Sequence, residues 1–431
     1  MKLSEWIPWF KDGYCLIHGV SSPPNRRARD DNYMKYIMHV DMNSFFASCE
    51  QQANCLLRGR PVGVVAYNAP NSVILAASIE AKRLGIKTGT IAREAKLLCP
   101  NIILLENDPP KYRAISEAIS AILNQYSDRV EPYSIDESFM DLTGWVKSYD
   151  EAKNKALEIK QRLKAEVGDW LSCSIGISFT KFLAKVGSDL KKPDGLTIIT
   201  PADLPAIYKN VKLTDLWGVA NGWRERLRGI NIHTIWELYN YPLQNLISLF
   251  GKPGHTLYSH IHGFAIENVA SIEPLPKSIS HQYAIPKAEN TAANLPKIIM
   301  KLCEKVGRRL RGHELLAQTI FLHVRFYQQP GTAVQKHLPY ALHSTADIYH
   351  YATELMRQLP AGKIHVLGIG VANFTTHNDQ LSLWSEQPKN KTNNIDKVMD
   401  SIKDKYGEFA IVHGTMVGGE KFVPDRIGFG K

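Results

Sequence analysis

The sequence predicts a multidomain α+β protein, and three observations lead to this class. Its 431 residues exceed the roughly 100 to 200 that one domain usually contains. Short apolar runs alternate with helical patterns between residues 36 and 199, in the order of a ferredoxin-like sheet with an insertion after its first strand. A second βαββαβ order follows between residues 278 and 374. Hydrophobic residues make up 44% and charged residues 22%, which excludes a disordered or membrane-embedded chain.

The first domain is predicted from the spacing of its apolar residues. Short apolar runs bounded by turn residues predict strands, and apolar residues three and four positions apart predict helices. The predicted order is strand 36–40, helix 44–51, strand 62–67, a helical segment 73–98 with breaks at Gly85 and Gly89, helix 111–126, two strands within 130–142, helix 150–167, strand 171–178, helix 180–190 and strand 196–199.

Beyond residue 200 the composition changes. The segment 216–220 precedes a basic helix that contains Arg224, Arg226 and Arg228, and the proline-bearing stretch 266–277 is typical of a linker. The second βαββαβ unit is predicted as a strand, helix 295–312, strands 317–327 and 334–342, helix 345–358 and strand 364–374. An amphipathic helix is predicted at 394–406 from Ile395, Val398, Met399 and Ile402.

Charge and cysteine content narrow the function classes. The net charge of +10 favours an anionic partner, nucleic acid first, although simple solubility would explain it equally well. The six cysteines form no CxxC pair and have no histidine at zinc spacing, so we expect reduced thiols of a cytoplasmic protein. No apolar run approaches the ~20 residues of a membrane span, and we expect no membrane partner. Residues 1–35 are expected to form a solvated arm.

The chemistry is predicted from carboxylates at two strand ends. Asp41 ends the first strand, and Asp136 and Glu137 lie between two later strands. If these ends meet on one sheet, the carboxylates repel each other unless divalent cations lie between them, and such hard oxygen ligands suit Mg²⁺ or Mn²⁺. This arrangement is typical of two-metal phosphoryl or nucleotidyl transfer. The alternative is that these acids are helix caps or turn residues.

Four long motifs resemble one known family. VDMNSFFASCE at 40–50, SIEAKRLGIKTG at 78–89, EPYSIDESFMDLTG at 131–144 and SIGISFTKFLAKVGSDLKKPDG at 174–195 are similar to those of the Y-family translesion DNA polymerases, which include bacterial DNA polymerase IV (DinB) and UmuC. The resemblance extends over about 36–373. It implies a right-hand polymerase with a ferredoxin-like palm, small fingers, a helical thumb with a helix-hairpin-helix, and a βαββαβ little finger.

The family pattern also implies domain boundaries. They are an N-terminal arm at 1–35, a palm at 36–44 and 108–199, fingers at 45–107, a thumb at 200–265, a linker at 266–277, a little finger at 278–376 and a C-terminal tail at 377–431.

The resemblance assigns roles in the reaction to individual residues. Two Mg²⁺ ions, with Mn²⁺ as an alternative, would be bound by Asp41, Asp136, Glu137 and the backbone carbonyl of Met42. The alternative for Glu137 is that it shapes the site electrostatically instead of binding metal directly. Phe46 matches the steric gate, the ring that fills the space of a ribose 2′-hydroxyl; without the family match it would be a core residue. The triphosphate of a deoxynucleotide would be held by the backbone amides of Phe45 and Phe46 and by the side chains of Lys82 and Lys192, which are otherwise plain solvated lysines.

One part of the triphosphate site departs from the DinB pattern. DinB-type members carry a tyrosine and an arginine where this chain has Ile79 and Lys82. Lysine is a point charge without the fork of arginine, and isoleucine offers no hydrogen bond. UmuC-like members also carry lysine in the matching segment, so the departure indicates a subfamily difference.

The expected macromolecular partners are primer-template DNA and a β sliding clamp, with the enzyme itself a monomer. The thumb hairpin would hold DNA phosphates through Gly218, Ala220 and Arg224, and the little finger sheet through His323 and Arg325; both surfaces are alternatively ordinary solvated faces. Ala220 stands where the hairpin usually has a second glycine, and a Cβ restricts positive φ. The peptide that resembles the clamp-binding motif contains Gln380, Leu381, Leu383 and Trp384, with Trp in place of the usual Phe.

Two other function classes stay open on the sequence alone. A nucleotide cyclase also places metal-binding acids on a ferredoxin-like palm, but it would not explain the thumb, the second βαββαβ unit or the clamp peptide. A polymerase-like adaptor without catalysis would have lost its acids, whereas Asp41, Asp136 and Glu137 are all present. No segment suggests a proofreading exonuclease, so the resemblance implies short, low-fidelity synthesis.

Overall fold

The computed structural model describes residues 35–264, 267–271, 275–375 and 391–424, with the backbone alone for 391–394. These residues belong to two compact units, one within 1–273 and the other within 274–425. The predicted arm up to residue 34 and the peptide 380–384 lie outside the described residues. Among the helices that are described, none has both the length and the apolar character needed to cross a bilayer.

A five-stranded sheet lies at the centre of the first unit. Its strands are β1 (Ile37–Met42), β5 (Val130–Pro132), β6 (Glu137–Asp141), β7 (Cys173–Ser178) and β8 (Leu196–Ile199). They follow the order β5-β6-β1-β7-β8, and β1 pairs antiparallel with both β6 and β7. The predicted ferredoxin-like order is therefore present, with β8 added in parallel beside β7.

Helices cover both faces of this sheet. They are α4 (Pro109–Leu123), α5 (Tyr149–Arg162, continued by a π-helical turn to Val167) and α6 (Lys181–Leu190). The first two pack on the face that carries Met38 and Val40, whereas α6 contacts β1, β7 and β8. Gly176 in β7 permits the close approach of α6, because a Cβ there would lie 1.9 Å from the carbonyl oxygen of Ala184.

A smaller layer is inserted between β1 and β5. It contains α1 (Phe45–Ala53), β2 (Val62–Val65), β3 (Ile74–Ala77), α2 (Ile79–Arg83), α3 (Ala92–Leu98) and β4 (Ile103–Glu106), and its sheet has the order β3-β2-β4. The prediction that 73–98 is helical is wrong at its start, since β3 is a strand paired with β2. A short apolar run has no period that distinguishes strand from helix. Ser78, whose hydroxyl accepts a hydrogen bond from the Ala81 amide, marks where α2 begins.

Five helices complete the first unit. They are α7 (Leu204–Asn210), α8 (Asn221–Arg228), α9 (Ile235–Tyr239), α10 (Leu243–Phe250) and α11 (Lys252–Ile261), and they share one apolar core with α6. Trp217, just before α8, contacts the five-stranded sheet. Its ring lies 6.0 Å from that of Phe139 in β6 and 5.5 Å from that of Tyr133, centroid to centroid.

The second unit contains the predicted βαββαβ order. Its elements are β9 (Ser278–Ala284), α12 (Leu295–Gly312), β10 (Leu316–Phe326), β11 (Thr332–Leu342), α13 (Thr345–Met356) and β12 (Ile364–Thr375). The sheet order is β11-β10-β12-β9. Its first strand is at an edge, whereas β1 is central in the other sheet, so the two βαββαβ units differ in strand order.

The end of the chain packs against this second unit. Helix α14 (Lys391–Tyr406) lies on α12, and Phe422 belongs to the core beneath. The contact is made by charges: the Arg311 guanidinium lies 2.7 Å from Asp400, and the Lys403 ammonium lies 2.7 Å from Glu304. Ile395 and Val398 are 59% and 58% exposed. The predicted amphipathic helix is thus present, but two residues of its predicted apolar stripe face solvent.

Candidate active site

The strand pairing brings Asp41 and Glu137 together. Asp41 and Glu137 are direct partners in the antiparallel register of β1 and β6. Carboxylate oxygens of the two residues and a ring nitrogen of His39 all lie within 4.8 Å of one another. Asp136 lies in the turn just before β6, where its carbonyl oxygen accepts a hydrogen bond from the Met42 amide at 2.9 Å. The three predicted acids therefore lie at one end of β1 and β6.

Glu137 is surrounded by cationic and polar partners. The Lys185 ammonium, from α6, forms an ion pair with its Oε2. The Nε2 atom of His39 lies 3.3 Å from the same oxygen. Burial disfavours the charged carboxylate, yet contacts with His39 and Lys185 lower the pKa of Glu137 to about 2. Glu137 is consequently ionised at neutral pH.

His39 and Lys185 are not among the predicted site residues. His39 is fully buried, its Nδ1 lies 2.8 Å from the Ser188 hydroxyl, and burial lowers its pKa. A signal for it was available, because residues two apart on a strand share a face and His39 stands two before Asp41. Lys185 lies within the quoted motif 174–195 but carries no sign in the sequence of which acid it would meet.

The pKa of Asp136 is shifted in the opposite direction from that of Glu137. Its carboxylate accepts a hydrogen bond from the Ser134 hydroxyl at 2.6 Å. Burial raises its pKa, and the charges of Asp41 and Glu137 raise it further. A carboxylate destabilised by neighbouring carboxylates is a group that a divalent cation would stabilise. Carboxylate oxygens of all three acids are hard donors of the kind that Mg²⁺ prefers, but the atoms that lie within 4.8 Å of one another belong to Asp41, Glu137 and His39, and Asp136 is outside that group.

Lys192 is positioned against Asp41 by the turn between α6 and β8. Its ammonium lies 2.9 Å from Oδ2 of Asp41 and 2.7 Å from Oδ1 of Asp189. Burial lowers its pKa, but the two carboxylates outweigh burial and raise it. Asn43 fixes the turn, because its Oδ1 accepts the Asp194 amide at 2.7 Å. Lys192 therefore stays protonated beside the carboxylates.

A cleft of about 520 Å³ opens between the two sheets of the first unit, a size typical of small-molecule sites. The residues that line it are Asp41, Met42, Asn43, Ser44, Phe45, Phe46, Leu75, Ala76, Ile79, Lys82, Arg83, Thr88, Asp136, Lys192 and Pro193. All of the predicted metal-binding and triphosphate-binding residues except Glu137 are in this set. Arg83 and Thr88 are additions that the sequence did not single out, although Arg83 directly follows Lys82.

Two features make one wall of the cleft attractive to an anion. Burial, and then the charge of Lys192, lower the pKa of Lys82, so the two ammonium groups are near enough to repel each other. Helix α1 begins at Phe45 after Ser44, which has a φ of 50°, and its first amides have no partner within the helix. Phe45 and Phe46 both line the cleft, where such amides favour an anion.

Phe46 has one ring face covered by protein. Its ring stacks on that of Tyr112 with centroids 4.5 Å apart and an interplanar angle of 15°. Phe46 is 8% exposed and also lines the cleft. Tyr112 is fully buried in α4 and donates a 2.6 Å hydrogen bond to Glu50. The sequence did not single out Tyr112 or Glu50.

Comparison with known proteins assigns the family. Residues 40–189 match the impB/mucB/samB family, and residues 276–383 match the C-terminal domain of that family. DNA polymerase IV of Pelotomaculum thermopropionicum is 34% identical over 385 residues, which cover 88% of this chain and 94% of the relative. The chain belongs to the Y family of DNA polymerases. DNA polymerase IV 1 of Bacillus subtilis is 31% identical over 406 residues, covering 92% and 97% of the two chains.

The fold agrees with this family. A solved Y-family DNA polymerase chimera matches with a TM-score of 0.69 over 79% of this chain and 100% of that chain. At 22% identity this likeness concerns the fold alone. The resemblance predicted from the motifs is confirmed, and with it the class of DNA-directed DNA polymerase. The relatives are named polymerases, which favours this class over a nucleotide cyclase or a silent adaptor.

The region predicted as the thumb hairpin of this Y-family chain accommodates its alanine. Gly218 adopts a φ of 81°, the left-handed conformation that suits glycine. Ala220 is extended at φ −83° and ψ −178°, so its Cβ meets no restriction and the expected difficulty does not arise. Arg224 lies in α8, where its guanidinium is 3.0 Å from Glu225.

The predicted DNA-binding residues of the little finger lie on one face of its sheet. In β10, Ile320, Leu322 and Val324 point into the core, whereas His323 and Arg325 alternate with them. His323 is paired with Gly368, where a Cβ would lie 1.8 Å from the His323 ring. Its Nε2 is 3.2 Å from Gln282, and burial, then the charge of Arg325, lower its pKa. The predicted clamp-binding residues lie outside the described residues.

Proposed function

We propose that this Y-family polymerase carries out translesion synthesis by two-metal nucleotidyl transfer, adding deoxynucleotides to a primer 3′-hydroxyl. The observation that carries this proposal is the cleft, which is lined by Asp41 and Asp136 together with the cationic side chains of Lys82 and Lys192. Acids that suit hard cations beside groups that suit phosphates match a nucleoside triphosphate and its metal.

The metal-binding residues would be Asp41, Asp136, Glu137 and the Met42 carbonyl. Two bound Mg²⁺ ions would supply Lewis acidity at the primer hydroxyl and at the triphosphate. Ionised Glu137 supports this role because its pKa of about 2 removes competition from protons. Asp136, whose pKa is raised by burial and then by its acidic neighbours, would be stabilised as a carboxylate by a cation nearby.

The triphosphate would be oriented by this chain's own cations and amides. Lys192 would exchange its contact with Asp41 for phosphate oxygens, because a cation bound at Asp41 competes with the ammonium for the same carboxylate. Lys82 would neutralise a second part of the phosphates, in the place where the DinB pattern has arginine. The amides of Phe45 and Phe46 would add uncharged donors.

Sugar selection is proposed for Phe46. The ring lines the cleft while Tyr112 covers its other side, so it has little room to retreat from a ribose 2′-hydroxyl. Phe46→Ala should therefore raise the incorporation of ribonucleotides relative to deoxynucleotides.

DNA would be held away from the reacting atoms by two surfaces. The positive φ of Gly218 and the start of α8 after Ala220 support phosphate binding by the hairpin, with Arg224 adding charge. His323 and Arg325 share the face of the little finger sheet that points away from its core, where they would follow the DNA backbone.

The remaining proposals concern organisation and partners. We keep the division into arm, palm, fingers, thumb, linker, little finger and tail at the boundaries predicted above. Residues 380–384 are proposed to dock on a β sliding clamp through Gln380, Leu381, Leu383 and Trp384, and the polymerase itself is proposed to act as a monomer. Its DNA substrate makes the bacterial cytoplasm the expected place of action.

Primer extension tests the central proposal. The wild-type protein should extend a primed template with deoxynucleotides in Mg²⁺, and Asp136→Ala should abolish extension. Asp150→Ala is a matched control, because Asp150 is an exposed acid in the first turn of α5 and should leave extension unchanged. Wild-type protein that folds and binds DNA but extends no primer would overturn the proposed two-metal nucleotidyl transfer.

A further inference from the structure

A buried hydrogen-bonded pair supports the ring of Phe46 from behind. Tyr112 presents the flat face of its ring to Phe46 at 4.5 Å, a stacked geometry that aromatic pairs prefer when their rings are offset. Tyr112 has no exposed surface and belongs to α4, whereas Phe46 belongs to α1. The position of the Phe46 ring therefore depends on a second element of the fold.

Tyr112 is held in place by Glu50. Its hydroxyl donates a 2.6 Å hydrogen bond to Oε1 of Glu50, and the Lys111 ammonium lies 3.0 Å and 2.9 Å from the two oxygens of that carboxylate. Glu50 stands four residues after Phe46 on α1, so the two side chains project from the same face of the helix. Burial and the charge of Glu50 raise the pKa of Tyr112, which keeps the hydroxyl protonated as a donor.

The backbone near Phe46 gives the ring less restraint than a helix interior would. Phe46 lies in the first turn of α1, directly after the positive φ of Ser44. A phenylalanine ring turns about two torsions, and its large area makes its packing partner decisive for where it settles. The stack of Phe46 on Tyr112 and the hydrogen bond from Tyr112 to Glu50 join α1 to α4 and support the ring from one side.

We propose that Tyr112, anchored by Glu50, is a positioning residue that holds the Phe46 ring in the position needed to exclude a 2′-hydroxyl. The inference rests on the proposed steric-gate function of Phe46 and adds a residue that does not touch the nucleotide. Without a flat support, the Phe46 ring sinks toward the vacated space, and the pocket beside the sugar enlarges. Sugar discrimination should then fall while the carboxylates and lysines of the cleft keep their places.

The test compares side chains of different shape at position 112. Tyr112→Leu and Tyr112→Met both remove the flat ring, and Met retains more of the volume in case Leu does not fold. Tyr112→Phe keeps the ring and removes only the hydroxyl. Ile119→Val is the matched control, because Ile119 is a core residue of the same helix, 6% exposed, and its truncation weakens the core without touching the stack. The readout is the ratio of kcat/KM for a deoxynucleotide to that for the matching ribonucleotide.

Tyr112→Leu or Tyr112→Met should lower this ratio by about tenfold or more, the scale on which pocket shape separates similar substrates. The change should come from higher kcat/KM with the ribonucleotide. Tyr112→Phe, which keeps the ring but loses the bond to Glu50, should lower the ratio by less than Tyr112→Leu does, and Ile119→Val should stay within about twofold of wild type. A general loss of activity with an unchanged ratio in the Leu and Met variants would overturn the proposal and assign Tyr112 to the core alone.

Phe46→Ala separates this inference from the function on which it rests. If Phe46→Ala lowers the ratio, Phe46 is the gate, and Tyr112→Leu added to that variant should lower it no further. If Phe46→Ala lowers the ratio while the Tyr112 variants do not, the support role alone is refuted. If Phe46→Ala leaves the ratio unchanged, the gate assignment itself fails.

Discussion

Replacement of Lys185 by methionine tests the electrostatics of the carboxylates at the end of β1 and β6 most directly. The Lys185 ammonium pairs with Glu137, and the two side chains are 13% and 15% exposed. The pKa of Glu137 falls from 4.5 to about 2 through His39 and Lys185 together, and at about 1.36 kcal/mol per pKa unit this favours folding by about 3 kcal/mol. We assign roughly half to Lys185, so Lys185→Met should lower the free energy of unfolding by about 1–2 kcal/mol at neutral pH.

The pH dependence follows from the direction of the shift. A carboxyl whose pKa is lowered by folding contributes stability above its unfolded pKa, near 4.5, and this contribution is lost as the pH falls toward 2. In Lys185→Met the carboxyl loses its main cation and its pKa rises toward the unfolded value. The difference between wild type and variant should therefore be largest above pH 4.5 and shrink as Glu137 is protonated in both proteins.

Urea unfolding at a series of pH values measures this difference. Lys153→Met is the matched control, because Lys153 is exposed on α5 and should change stability little. A double-mutant cycle with Glu137→Gln isolates the pair, since Lys185→Met should cost clearly less in that background. Equal losses in both backgrounds, or a difference that does not change with pH, would refute the assigned coupling.

Three further predictions concern other parts of the chain. Lys192→Ala should raise KM for the deoxynucleotide tenfold or more in steady-state primer extension, because it removes the cation held 2.9 Å from Asp41; an unchanged KM would exclude Lys192 from the triphosphate site. Gly176→Ala should destabilise the fold by about 1–3 kcal/mol in thermal unfolding, since its Cβ would lie 1.9 Å from a backbone oxygen of α6, and a wild-type melting curve would contradict that packing. Lys403→Met should raise amide hydrogen exchange in α12, because among the described residues it leaves Glu304, 5% exposed, with the more distant Lys301 at 3.3 Å as its remaining ion-pair partner; unchanged exchange would show that the α12–α14 charges add no stability.

Much of the fold could be predicted because the hydrophobic periodicity of the sequence and its turn residues indicate the same elements. Strand 196–199 is observed with the bounds predicted, and α12 ends where the apolar stripe of 295–312 ends. The strand β3 was missed because its four residues are all apolar and have no alternation to reveal it. Helix α14 was predicted from an apolar stripe, yet its docking uses charges that pair with residues about ninety positions earlier.

The site was predictable to the extent that its residues share local motifs. Asp41, Asp136, Lys82 and Lys192 line one cleft, and all four were named from motif positions. His39, Lys185, Tyr112 and Glu50 were not, because each acts through a partner that only the folded chain brings within reach. A tyrosine on an apolar helical stripe gives the same sequence pattern whether it only fills the core or also supports the ring of a functional residue such as Phe46.

Trp217 connects the region around Gly218 to the five-stranded sheet through aromatic contacts. Its ring contacts Phe139 and Tyr133, which flank the turn and strand that carry Asp136 and Glu137. A displacement of the segment before α8 would therefore be transmitted through Trp217 to the strand that carries Glu137.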